Sequence, residues 1–112
     1  MPVQLVEKIP DPPYDEAGIS SILVANNGMA AVKFIRSIKT WCKNEGSSKR
    51  QIRLVCMASE DDIEGCSEFI YLCDSFEKVS GGPNHANYCN VDLIINCAIK
   101  SRCDVLMMYS YY

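Results

Sequence analysis

The chain has 112 residues, a formal net charge of −3 and a hydrophobic fraction of 48%, which suits a single domain built around one core. Its acidic balance argues against a general nucleic-acid or membrane-surface binder, and no apolar run approaches the roughly 20 residues of a membrane span. Residues 1–18 are rich in proline and acids and have no apolar core of signal-peptide type. They read as a flexible leader to a domain over residues 19–112, and a cytoplasmic location is expected.

Ile22–Ala25 is a continuous apolar run of strand length, suited to a strand buried on both faces of a parallel sheet. After the polar turn Asn26-Asn27-Gly28 the period changes. Ala31, Phe34, Ile35, Ile38, Trp41 and Cys42 share one helix face, and Lys33, Arg36, Ser37, Thr40 and Lys43 lie on the other. Gly46-Ser47-Ser48 ends that helix. Ile52–Met57 is a second strand. Ser59 offers an N-cap to a second helix, with Glu60, Asp61 and Asp62 in the first turn, where the helix dipole favours acids. Ile63, Cys66, Ile70 and Cys73 mark its buried face, and Gly65 sits inside it. Phe76–Val79 is a short third strand. Gly81–Asn90 is a loop rich in Gly, Pro and Asn. Asn90 caps a third helix whose buried positions are Val91, Ile94, Ile95 and Ala98. Asp104–Met108 is the fourth strand.

Strict alternation of strand and helix predicts an α/β fold, a parallel sheet with helices on both faces. Right-handed crossovers give a Rossmann-like strand order of 3-2-1-4. The fourth strand is left with an exposed edge, which is a liability. Ligands of such sheets sit over the carboxyl ends of the strands. That places Asn26, Asn27, Gly28, Gly81, Gly82 and Asn84 as candidates for a ligand rim.

The chemistry available to that rim is sparse. The first turn holds one glycine where a dinucleotide fingerprint has three, and strand two ends without an acid. A tight turn at Gly28 is the plain reading, with an anion at the helix N-terminus as the alternative. Glu60, Asp61, Asp62 and Glu64 fit capping and dipole roles better than a metal site. His85 is the only histidine and reads as a solvated loop residue; no catalytic residue is assigned. Lys33, Arg36, Lys39 and Lys43 form a basic stripe, either a solvated face or a surface for a partner or regulatory anion. Seven cysteines stand at 42, 56, 66, 73, 89, 97 and 103, without the paired spacing of a zinc or thioredoxin-like site. They read as buried reduced thiols, with metal, disulfide or redox roles as alternatives.

Several stretches together resemble a known family. Ile22-Leu23-Val24-Ala25-Asn26-Asn27-Gly28-Met29-Ala30-Ala31-Val32-Lys33, Ile35-Arg36-Ser37 and Trp41 carry it first. Met57-Ala58-Ser59, Asp61-Asp62, Gly81-Gly82-Pro83-Asn84, Asn87-Tyr88 and Asn90-Val91-Asp92-Leu93-Ile94 follow. Over about Ile19 to Val105 the chain is similar to the N-terminal part of the biotin carboxylase region of eukaryotic, plant-like multidomain acetyl-CoA carboxylase. The resemblance implies the Rossmann-like domain that precedes an ATP-grasp domain. It also implies a parent ligase reaction: ATP-dependent carboxylation of biotin, supplying malonyl-CoA to fatty-acid synthesis. ATP, Mg²⁺ and biotin are implied for the parent enzyme and none for this fragment alone, because the family's catalytic residues lie in later parts. Lys33, Arg36 and Ser37 match a helix face used in the family for regulation and inhibitor binding. The implied partner is an intact acetyl-CoA carboxylase or the remaining parts of the same enzyme, with no nucleic acid and no membrane. A small stand-alone nucleotide- or anion-binding domain is the alternative. The chain departs from the family at His85-Ala86, at Cys66 and Cys89 (usually Asn and Ala), and at Tyr109-Ser110-Tyr111-Tyr112, where a Gly-aromatic-Gly motif is expected. These departures read as a truncated or decayed copy of the domain, or a fragmentary gene model.

Overall fold

The computed structural model describes residues 18–44 and 51–108. The leader, the Gly-Ser break at 46–48 and the terminal tyrosines lie outside the described residues. Four strands form one parallel sheet: β1 (Ser21–Ala25), β2 (Arg53–Ser59), β3 (Ser75–Val79) and β4 (Val105–Met108). Their order is β3-β2-β1-β4, as the alternation of elements predicts. In register, Ile22 lies between Leu54 and Val105, and Val24 between Cys56 and Met107. Each inner strand is flanked on both edges and covered on both faces. That is why β1 is buried along its whole length and β2 from its second residue on.

The helices are α1 (Gly28–Asn44), α2 (Glu60–Glu64), α3 (Glu68–Leu72) and α4 (Val91–Lys100). A 3-10 turn at Asn84–Ala86 lies in the loop before α4. Right-handed crossovers put α1 and α3 on one face and α4 on the other, and α1 packs against α3. The chain therefore reverses its winding between β3 and β4, which makes the gap between β1 and β4 the topological switch point.

The structure corrects the single second helix. It is two short helices, broken just after Gly65. Cys66 takes the left-handed conformation at φ 55°, its N–H donates to the Ile63 carbonyl, and the Ser67 N–H donates to the Asp62 carbonyl. This is a Schellman terminus, with the left-handed position one residue later than the glycine. Cys66, expected in the core, is consequently exposed, and Phe69 is buried instead. The end of α4 repeats the device. Arg102 stands at φ 57°, with bonds from its N–H to Ile99 and from the Cys103 N–H to Ala98.

Two helix faces also differ from their patterns. On α1 the row Ala31, Val32 and Ile35 is buried, whereas Trp41 is 48% exposed. Trp41 falls on the Phe34 edge of the apolar stripe, where even Phe34 is only partly buried. On α4 the core takes Ile94 and Cys97. Val91, Ile95 and Ile99 are 52%, 45% and 70% exposed. These three recur every fourth residue and make one apolar strip. A 3.6-residue period locates an apolar face but not how much of it the sheet can cover.

Candidate functional site

At the carboxyl ends of the strands, the turn after β1, the start of α2 and the 80s loop meet around two carboxylates. Asp62 is the hub. Its Oδ2 accepts from the Tyr88 hydroxyl at 2.7 Å, from the Ser59 hydroxyl at 3.2 Å and from the Asn27 amide at 3.3 Å. Its Oδ1 accepts from the Ser67 hydroxyl at 2.7 Å. Ser59 caps α2 as its residue type predicts, accepting from the Asp62 N–H at 3.2 Å. The Ser59 N–H, at the buried end of β2, donates to the Tyr88 hydroxyl at 2.9 Å. One phenol thus joins the backbone of β2 to the carboxylate of α2.

The electrostatics follow from this arrangement. Partial burial works against ionisation of Asp62, but its bonds from Ser67, Tyr88, Asn27 and Ser59 win and hold the carboxyl below the usual aspartate range. Burial and the adjacent Asp62 carboxylate push the Tyr88 phenol well above its ordinary value. Tyr88 is therefore a fixed donor rather than a base at neutral pH.

Asp61 organises the other side. Its Oδ2 accepts from the Gly82 N–H at 2.9 Å, and Gly82 stands at φ 100°. Gly81 lies so close that a Cβ there would come within 2.8 Å of the same oxygen. Asn87, 1% exposed, donates to the Ser80 and Gly82 carbonyls at 3.1 and 3.2 Å and accepts from the Tyr88 N–H at 2.6 Å. It holds the loop closed so that Tyr88 points inward.

Of the rim candidates, Asn27, Gly81 and Gly82 are brought into this network. Asn26 turns back on its own turn, its Oδ1 accepting the Asn27 N–H at 2.8 Å. Gly28 opens α1 at φ 60°, a conformation that favours glycine. Asn84 is exposed and serves through its carbonyl, which accepts the N–H groups of Asn87 and Cys89. The sequence reading assigned Asp61 and Asp62 to capping and the helix dipole, expected the asparagines of the 80s loop to hold turns through side-chain-to-backbone bonds, as Asn87 does, and left Tyr88 without a role. Their signal was the pairing of an Asn-rich loop with a buried-type aromatic, Tyr88, beside it.

Lys33, Arg36 and Ser37 lie together on the exposed face of α1, away from this rim. Arg36 is joined to Glu68 of α3 at 2.6 Å. Both side chains are more than half exposed, so the pair contributes well under 1 kcal/mol, by order of magnitude.

The donor set does not fit a Mg²⁺-nucleotide. Both oxygens of Asp62 and Oδ2 of Asp61 accept from protein N–H and O–H groups. Among the described residues, no three His, Cys, Asp or Glu side chains stand where they could share a metal ion. A cleft of about 540 Å³ does exist, lined by Ile38, Lys39, Cys42, Ile52, Leu54 and Asp74 among others. It opens at the amino ends of the strands, opposite the end where ligands of parallel sheets are held by helix N-termini.

This winding, a parallel sheet in the order β3-β2-β1-β4 with helices on both faces, defines a Rossmann-like α/β unit. Residues 18–109 match the family described as the biotin carboxylase, N-terminal domain, and the chain belongs to that family. It is 48% identical over 88 residues to acetyl-CoA carboxylase 2 of Arabidopsis thaliana, covering 79% of this chain and 4% of that protein. It is 43% identical over 88 residues to the acetyl-CoA carboxylase of Saccharomyces cerevisiae, again 79% and 4%. The urea carboxylase of Kluyveromyces lactis superposes with a TM-score of 0.67 at 22% identity, over 84% of this chain and 7% of that one. The biotin carboxylase domain of a thermophilic 2-oxoglutarate carboxylase, solved with bicarbonate, superposes at 0.63 and 21% identity, over 83% and 18%. The chain thus spans about 4% of the length of the curated relatives it matches.

Proposed function

We propose that this chain supplies the first α/β unit of a biotin carboxylase region of acetyl-CoA carboxylase type, and that it does not carboxylate biotin alone. Its parent reaction is ATP-dependent carboxylation of biotin, serving fatty-acid synthesis in the cytoplasm. The chain acts by joining further carboxylase protein, either the rest of such an enzyme or an intact copy. The observation that carries this reading is the strip Val91, Ile95 and Ile99, uncovered among the described residues, together with the outer edge of β4, which no described strand pairs. Isoleucines and valines at this exposure are costly in water, and an unpaired strand edge invites pairing. Lys33, Arg36 and Ser37 offer a second, polar contact surface on α1.

The test is co-purification of the full chain with a biotinylated acetyl-CoA carboxylase, using the wild type and an Ile95→Asp, Ile99→Asp variant. Binding by the wild type and at least tenfold weaker binding by the variant is expected. No retention of the wild type would refute the docking reading. A saturable rise in unfolding temperature with MgATP, in the chain alone, would instead favour a stand-alone nucleotide-binding domain.

A further inference from the structure

The turn between β1 and α1 carries a reactive pair. Asn27 is the only asparagine of the chain that is followed by glycine. An asparagine side-chain carbon and the next backbone nitrogen can close a five-membered ring, and the side chain of the following residue is what ordinarily obstructs that closure. Gly28 has none. It is exposed, and a Cβ placed on it would meet nothing within 4 Å. Its N–H stands at the start of α1, where the helix itself offers no acceptor. Asn27 is half-buried, and its amide donates a long bond to Asp62 Oδ2 at 3.3 Å.

The other asparagines of the described residues are worse placed. Asn26 is buried, and the backbone nitrogen that would attack its side chain already donates to that side chain's own Oδ1 at 2.8 Å. Asn87 is buried and held by three bonds. Asn90 Oδ1 is engaged in capping α4, accepting from the Leu93 N–H at 3.1 Å. Asn96 lies inside α4, whose hydrogen bonds fix the nitrogen that follows it. Asn44 and Asn84 precede a glutamate and a histidine, whose side chains crowd the ring.

We propose that Asn27 is a site of spontaneous deamidation, and that this modification turns the tie between the β1–α1 turn and α2 into a repulsion. The Gly28 nitrogen attacks the side-chain carbonyl carbon of Asn27. The N–C bond forms, the bond from that carbon to the amide nitrogen breaks, and ammonia leaves with the Gly28 proton, giving a succinimide. Water then adds to one of the two ring carbonyls and opens the ring to aspartate or isoaspartate. In sum one water is consumed and one ammonia released, with no change of oxidation state. The product carries a carboxylate where an amide donated to Asp62, so two like charges face each other at the rim. The isoaspartate form also lengthens the backbone between β1 and α1 by one methylene. The N-terminus of α1 attracts the new charge while Asp62 repels it, so the effect has to be read from the pair.

The experiment ages the purified full chain in mildly alkaline buffer and maps its peptides by mass spectrometry, with fragmentation to separate Asn27 from Asn26. The expected result is a gain of one mass unit at Asn27, as a mixture of aspartate and isoaspartate, severalfold faster than at any other asparagine. If Asn27 stays an amide while the same chain aged in concentrated urea converts, the fold blocks the ring and the proposal is overturned, a result that the wild type alone delivers. The consequence is read from the urea midpoints of Asn27→Asp, Asp62→Asn and the double variant. Asn27→Asp should lower the midpoint. The double change should cost less than the two single changes added together, because amide and carboxylate have then exchanged places. Additive costs, or an Asn27→Asp midpoint equal to that of the wild type, overturn the repulsion.

Discussion

Tyr88→Phe is the sharpest test of the rim network, because it removes one oxygen and keeps the ring in its buried place. Two bonds disappear together: the 2.9 Å bond from the Ser59 N–H and the 2.7 Å bond to Asp62. Ser59 is 3% exposed, so its N–H is stranded, at a cost of about 1–3 kcal/mol. A hydrogen bond to a charged partner contributes about 1.5–3 kcal/mol. Asp62 is only half-buried, keeps its bonds from Ser67, Ser59 and Asn27, and can recruit water, so that second loss is discounted. A destabilisation of about 2–3 kcal/mol results. In urea, where small proteins lose about 1–3 kcal/mol per molar, the midpoint should fall by about 0.7–3 M in a circular dichroism titration. A fall of less than about 0.5 M with an unchanged slope would show that the phenol is not the joint between β2 and α2. Pairing the change with Asp62→Asn should give a coupling of about 1 kcal/mol or more.

Acid should weaken the fold through Asp62. Its folded-state pKa lies below the unfolded value, so its contribution is complete above the ordinary aspartate range near about 3.9. It is lost as pH falls through the lower folded value. Urea midpoints followed from pH 7 into acid should show that loss, and Asp62→Asn should flatten it. Cys66→Gly and Arg102→Gly should each stabilise by about 1 kcal/mol, since both helix ends demand a left-handed residue; unchanged melting curves would dismiss that account. Gly81→Ala should destabilise by about 1 kcal/mol, because its methyl would push Asp61 off the Gly82 N–H. Equal stability in thermal unfolding would show that Asp61 moves aside freely.

The sheet was legible because its signals are redundant. Apolar runs of strand length, a period change after Asn27 and the count of crossovers all converge on the same order. The capping of α2 by Ser59 and of α4 by Asn90 was readable because capping is a local event between residues three apart. Other features were not local. The break at Cys66 depends on which residue accepts a positive φ, and the sequence offered a glycine one position too early. The Asp62–Tyr88 bond links residues 26 apart, so no window of periodicity contains it.

The entry of β1 beside β4 has a consequence for how the chain is made. The Ser20 N–H and hydroxyl both donate to the Asp104 carboxylate, at 2.8 and 2.9 Å and across 84 residues of sequence. The Asp104 N–H in turn donates to the Ser21 hydroxyl at 2.9 Å. These are among the most distant pairings in the sequence, and such pairings form slowly. β1 is buried along its whole length and is the first of the four strands to leave the ribosome, yet one of its edges waits for the last of the four. Until Met108 has emerged, Ile22 to Ala25 have one partner, β2. The pace of translation through residues 60–108 sets how long that edge can be captured by another nascent chain.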